Sequence, residues 1–248
     1  MNRIYPKISF VIPAYNEQAY IGGAIESVQK QQTVVSQEII VVDNASTDNT
    51  VSVSKKYGVK IVSENRKGLT FVRQKGLEEA KGDFIVYMDA DTRIPDNFTR
   101  EALDYFEKHK DTVCASYNFY YYDGRLIDNI FLLVFQSILP YVGYVLDIFN
   151  KPEIIVGLIM VIKTSALKKA GGINENFVFY GEDAEIARTL YAQGKVKHLR
   201  YPYVATSARR YKNRGTIKTL FLYWVSFFLI YFGKVKWAEA ISQTQKDF

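Results

Sequence analysis

The chain has 248 residues, 48% of them hydrophobic and 23% charged, with a net charge of +6 and a pI near 9.1. This length and apolar share allow one large core, or at most two small ones, and exclude a disordered chain, while the single Cys114 excludes a disulfide within the chain. The basic balance suits an anionic ligand, an anionic membrane surface or a nucleic acid, but no nucleic-acid recognition motif accompanies it.

In chain order, strand and helix signals alternate. Met1 to Phe10 has no signal-peptide pattern and leads into the apolar strand Lys7–Pro13, so a cytoplasmic location is expected. Gln18–Gln31 puts Ile21, Ile25 and Val28 on one helical face. Gln37–Val42 is a second strand, followed by Ser46 or Asp48 as N-cap of a short helix ending near Gly58. Val59–Val62, a helix over Leu69–Ala80 and the strand Asp83–Met88 come next. Such alternation predicts parallel βαβ units in a doubly wound sheet. Cys114, in the run Thr112-Val113-Cys114-Ala115, reads as a buried thiol of a reducing compartment. Further on, Ile154–Lys163 reads as a strand, Thr164–Ala170 as a short helix, Gly171-Gly172 as a turn and Ala184–Gln193 as a helix.

Polar residues collect at the carboxyl ends of these strands: Tyr15, Asn16 and Glu17, then Asp43 and Asn44, then Glu64 and Asn65, then Asp89 and Asp91. An open parallel sheet binds its ligands at that rim. Two carboxylates one residue apart suit Mg²⁺ or Mn²⁺ completed by water and a diphosphate, although acids in a turn also serve simply as helix caps. No G-x-G-x-x-G follows the first strand and no Walker A motif occurs, which argues against a dehydrogenase or a P-loop enzyme. There is no G-x-S-x-G elbow, and neither His109 nor His198 has a recognisable Ser or Cys partner in the sequence.

Four segments together resemble the family 2 glycosyltransferases of GT-A fold: Phe10 to Glu17, Val42 to Thr50, Asp89-Ala90-Asp91 and Gly181-Glu182-Asp183. The resemblance spans about the first two hundred residues and implies an α/β fold with a mostly parallel central sheet. It implies an enzyme that moves a sugar from a nucleotide-sugar, a UDP-sugar being favoured, with inversion. Pro13, Ala14, Tyr15, Asn16, Glu17 and Asp43 would border the nucleoside, Asp43 accepting from the base. Arg73 would lie near base and phosphates, its rival reading being an exposed helix charge. Asp89 and Ala90 would sit by the ribose, and Asp91 with Asp89 would hold Mn²⁺ or Mg²⁺ in the family's DXD manner. Asp183 matches the catalytic base, with Glu182 next in line.

Departures from the family pattern narrow these expectations. The Q-x-x-R-W element of processive members is replaced by Ser207 to Arg214, which favours transfer of a single sugar. The late histidine that relatives offer to the metal is missing between Ala205 and Gly215. Arg209 and Arg210 could instead contact donor phosphates, or belong to a solvated basic loop. Ile130–Leu146 and Leu220–Phe232 are apolar, aromatic-rich and shorter than the roughly twenty residues of a span, so interfacial helices at an anionic inner membrane face are expected, against sheet cover or a homo-oligomer contact. A GT-A domain over 1–211, with a nucleotide-binding half at 1–116 and an acceptor half at 117–211, then precedes a helical segment at 212–248. The acceptor is expected to be lipid-linked or a glycan, in the making of a cell-envelope polysaccharide. A nucleotidyltransferase and a catalytically silent nucleotide-sugar or membrane-surface module are the alternatives.

Overall fold

The computed structural model describes residues 7–32, 35–177, 181–209, 225 and 229–243. Among them, the elements run β1 (Ile8–Ala14), α1 (Ile21–Gln29), β2 (Gln37–Asp43), α2 (Thr50–Lys55), β3 (Lys60–Ser63), α3 (Leu69–Glu79), β4 (Phe84–Met88), α4 (Phe98–Lys108), β5 (Thr112–Tyr121), α5 (Leu126–Ile148), β6 (Ile159–Lys163), α6 (Thr164–Lys169), α7 (Glu182–Tyr191), β7 (Lys195–Thr206) and α8 (Val235–Gln243). The strands form one sheet in the order β3-β2-β1-β4-β6-β5-β7. The first four pair in parallel, β6 runs antiparallel to β4 and β5, and β7 returns parallel to β5.

The central strands are apolar on both faces, as strands covered on both sides must be. Phe10, Ile12, Val86 and Met88 meet α1 and α4 through Ile25, Val28, Phe98 and Phe106. On the opposite face Val11, Ile85 and Tyr87 meet α3, α6 and α7 through Val72, Leu167 and Ile186. Three layers result, with the carboxyl ends of β1, β2 and β4 along one rim. Cys114 is fully buried, and burial pushes its thiol well above its ordinary range.

Three expectations need correction. The strand expected from Ile154 begins only at Ile159, because the preceding backbone bonds elsewhere: Val156 N–H donates to Ser116 Oγ, Gly157 O accepts from Arg73 and Leu158 O accepts from the Asp89 N–H. Helix α7 starts at Glu182 rather than Ala184, since Gly181 takes a left-handed φ of 86° and turns the chain two residues earlier. The apolar stretch read as 130–146 belongs to a 23-residue helix, long and apolar enough to cross a membrane by length and composition. Asp128 accepts the Arg125 N–H at 3.1 Å and pairs with its guanidinium, which closes the first turn.

That helix is built inside out. Its inward stripe carries Asn129 and Gln136, whose side-chain amides clamp the β5 backbone: Gln136 bonds the N–H and C=O of Phe119 at 2.7 and 2.9 Å, and Asn129 those of Tyr121 at 2.8 and 3.0 Å. Since β6 pairs with β5 only as far as Ser116, the two amides stand in for a neighbouring strand. Outward, Phe131, Tyr141, Tyr144 and Phe149 are each about 70% exposed.

Candidate active site

The loops after β1 and β2 are laced together. Asn16, in a left-handed conformation with φ 55°, donates its N–H to Ser46 Oγ and accepts the Thr47 N–H on its side chain. The Glu17 N–H bonds Thr50 Oγ1 at 2.7 Å, and Asp48 accepts the N–H groups of Gln18 and Thr50. Asp43, buried at the end of β2, accepts the Ser46 N–H. Asn44 reaches the next loop, bonding the carbonyls of Glu64 and Arg66 and the N–H of Gly68. Lys67 lies over the Tyr15 ring at 3.7 Å. Pro13 to Glu17 and Asp43 therefore form one hydrogen-bonded wall, with Tyr15 exposed on it.

The end of β4 supplies the next part. Asp89 donates its N–H to Leu158 O at 2.9 Å, Ala90 is buried and Thr92 closes the turn onto Asp89 O. The following Arg93 pairs its backbone with Ala205, which brings the end of β7 beside the acids. There Arg209 holds two carboxylates at once. Its Nε lies 2.9 Å from Asp91 Oδ2, its other arm bonds Glu17, and its guanidinium covers the Tyr20 ring at 4.4 Å. Thr206 Oγ1 adds a bond to Asp91 Oδ1 at 3.3 Å. Asp123 fixes the segment by accepting from Ser207 Oγ and the Ala208 N–H.

Charge at this point is concentrated and partly buried. Burial pushes the Glu17 carboxyl up to about 7; Arg209 opposes this, while the Asp91 and Asp89 charges add to it. Burial disfavours the charge on Arg209, but its bond to Glu17 and the field of Asp91 outweigh this and raise its pKa. The reading of Arg209 as a solvated loop residue is thereby overturned. Arg210 lies outside the described residues, as do Lys212, Arg214 and most of 220–232.

The acids of α7 sit on the other side of the 157–158 backbone. Asp183 is half-buried, accepts the Ala184 N–H at 2.8 Å, and has its carboxyl held above the usual range by burial against that bond, Arg73 and the Gly157 N–H. Glu182 is buried and ion-paired with Arg73 at 3.5 Å. Arg73 is not an exposed helix charge: it is 1% exposed, donates to Gly157 O at 2.8 Å and lies 5.7 Å from the Tyr87 ring. Adjacent residues thus meet the two acid groups, Leu158 bonding Asp89 and Gly157 packing against Asp183.

A partner for His198 that its sequence neighbours do not reveal appears in the fold. Ser116 Oγ lies 2.8 Å from His198 Nδ1, and Asn118 Oδ1 lies 2.8 Å from Nε2. All three are buried, and burial lowers the His198 pKa to about 4, so the trio is a neutral core network. His109 stacks on Tyr105 at the surface. Thr206, Asp123, Gly157 and the Arg209–Glu17 bond escaped sequence reasoning; the last joins residues 192 positions apart.

For a divalent ion the donor set is two hard carboxylates one residue apart, Asp89 and Asp91. Among the described residues no group of three or more His, Cys, Asp or Glu side chains is placed to hold a metal. Such a pair fits Mg²⁺ or Mn²⁺ only with further oxygens from water and a diphosphate, the usual manner of these ions.

Residues 9–171 match the model of the family described as Glycosyl transferase family 2, and the chain belongs to that family. Its structural neighbours share the GT-A fold. The mannosyltransferase PcManGT from Pyrobaculum calidifontis, in complex with GDP-Man and Mn²⁺, superimposes with a TM-score of 0.68 at 18% identity, covering 98% of this chain and 71% of that one. Residues 1–349 of TarS of Staphylococcus aureus, in complex with UDP, give 0.63 at 19% identity, covering 82% and 60%. In sequence, EpsH of Bacillus subtilis, named as a glycosyltransferase, is 29% identical over 138 residues, 53% of this chain. The chain spans 40% of the length of EpsH and 20% of that of TarS.

Proposed function

We propose that this family 2 glycosyltransferase moves one sugar per encounter, with inversion, from a UDP-sugar to a lipid-linked or glycan acceptor. The observation that carries this reading is the Gly157-Leu158 backbone, which bonds Asp89 at the end of β4 on one side and packs against Asp183 at the start of α7 on the other. The Pro13–Glu17 wall and Asp43 would receive the nucleoside, and the UDP bound by TarS supports a uracil there. Asp183 would take the proton of the acceptor hydroxyl as its oxygen bonds the anomeric carbon and the bond to the diphosphate breaks. One displacement with no covalent intermediate inverts the centre. Asp91 and Asp89 would hold the divalent ion, which, when bound, neutralises charge on the departing diphosphate. The Mn²⁺ of PcManGT supports that assignment.

The acceptor side is argued from α5. A helix that turns its amides inward and its aromatics outward is suited to the interfacial layer of a membrane; Lys151 is exposed just beyond its end, and Lys234 and Lys236 are exposed in the late segment. We assign 1–211 to catalysis, with α5 as its membrane-facing helix, and 212–248 to further association with that surface, on the cytoplasmic side. The test is calorimetric binding of UDP by the parent and Asp91→Ala proteins, in Mn²⁺ and in chelator. The parent should bind at least about tenfold tighter with Mn²⁺ and the variant should lose that gain; equal affinity of the parent in both buffers would reject the metal-assisted reading.

A further inference from the structure

A fully buried arginine lies beneath the turn that carries the two late acids. Arg73 comes from α3, and its own carbonyl accepts the Tyr87 hydroxyl at 2.9 Å, which anchors this part of the helix to the end of strand β4. One arm of the guanidinium donates to Gly157 O, and the other faces Glu182 Oε1 at 3.5 Å. Gly157 in turn packs against Asp183, whose Oδ2 lies 3.5 Å from where a Gly157 Cβ would stand, and the Gly157 N–H favours the charged carboxylate. The contact is tight on both flanks: a Cβ on Gly157 would lie 3.3 Å from Arg73 Nη2 and 3.3 Å from Asp183 Cβ. A methyl there would push both neighbours by a few tenths of an ångström, with no unusual φ involved.

Arg73 therefore grips one side of a residue whose other side packs against Asp183. Its charge also answers Glu182, an acid that would otherwise be buried beside another acid at the same helix start. We propose that Arg73 is the positioning residue of the transfer reaction: through Gly157 it holds the Asp183 carboxylate in place, and by pairing with Glu182 it keeps that neighbour from competing for the same space. This rests on the reading of Asp183 as the base. It differs from the role that resemblance implies for Arg73, contact with donor base and phosphates.

The two roles separate experimentally. In Arg73→Met, turnover of the best-used donor among UDP-glucose, UDP-N-acetylglucosamine and GDP-mannose should fall by about a hundredfold, the cost of misplacing a reacting group by roughly an ångström. UDP affinity should stay within about twofold, and Arg73→Lys should recover part of the rate. In an Asp183→Asn background the same substitution should cost less than about twofold more, because there is no base left to misplace. If Arg73→Met leaves Glu182 uncompensated and fails to fold, Arg73→Met/Glu182→Gln removes the stranded charge and carries the test. A crystal structure of that double variant should show the Asp183 carboxylate displaced by about 1 Å or rotated to another rotamer. An unmoved carboxylate, or a loss of UDP affinity matching the loss of rate, overturns the proposal. Full turnover by Asp183→Asn alone would instead overturn the base assignment beneath it.

Discussion

Arg209 Nε lies 2.9 Å from Asp91 Oδ2, so the acid expected to face a divalent ion is already met by a cation of the same chain. The guanidinium occupies part of the electrostatic role of an ion and shares it with Glu17. No local pattern in the sequence foretells this, because the pair is formed by β7 passing beside the end of β4 through the Arg93–Ala205 bridge.

Arg209 and a divalent ion should compete for Asp91. Two unit charges at about 4 Å interact by roughly 4 kcal/mol at a near-surface dielectric, enough for the exchange to be measurable. Arg209→Met is expected to bind Mn²⁺ about tenfold tighter than the parent in the absence of nucleotide, by electron paramagnetic resonance titration. Weaker binding would show that Arg209 supports the ion site.

Glu17 provides a pH signature. Its carboxyl is raised from 4.5 to about 7, so between these values the folded protein binds the proton that the unfolded chain has released. Stability from this group is therefore present below about 4.5, falls as pH rises and is fully lost above about 7. Glu17→Gln mimics the protonated acid: it should match the parent near pH 4.5 and be about 1–3 kcal/mol more stable at pH 8 by urea denaturation. A variant less stable at pH 8 would mean that the ion pair with Arg209 dominates.

The first ninety residues were legible because every one of their strands is a run of apolar residues ending in polar ones. That pattern implies parallel strands and puts Asn16, Asp43 and Asp89 at one rim, while the order β3-β2-β1-β4 is not written in it. The second half was less so. Residues 154–158 have strand composition, yet their backbone groups serve Asp89, Arg73 and Ser116 instead of a ladder. Arg73 and Arg209 could not be located for a similar reason: a helix charge and a loop charge look alike in sequence whether they end in water or against a carboxylate.

The α5 clamp is a stability element. Gln136→Leu keeps the volume but leaves the buried N–H and C=O of Phe119 without their partner. An unsatisfied buried polar group costs about 1–3 kcal/mol, so a loss of roughly 2–4 kcal/mol is expected on denaturation. A loss under about 0.5 kcal/mol would show that water replaces the amide freely.

The outward face of α5 makes a separate claim. The parent should co-sediment with phosphatidylglycerol vesicles and be partly released by salt, since each exposed lysine near the surface adds about 1 kcal/mol. Phe131→Asp/Tyr141→Asp should abolish sedimentation while UDP binding persists. Retained sedimentation would move the contact away from this helix.

The central claim is that Asp183 accepts the acceptor's proton, and Asp183→Asn tests it most directly because asparagine keeps the size and most of the capping ability of the acid. Turnover and UDP affinity should be measured together on the same preparation. The account predicts a fall in turnover of at least about a hundredfold with UDP affinity unchanged. Transfer at near the parent rate would contradict it and would pass the role of base to Glu182.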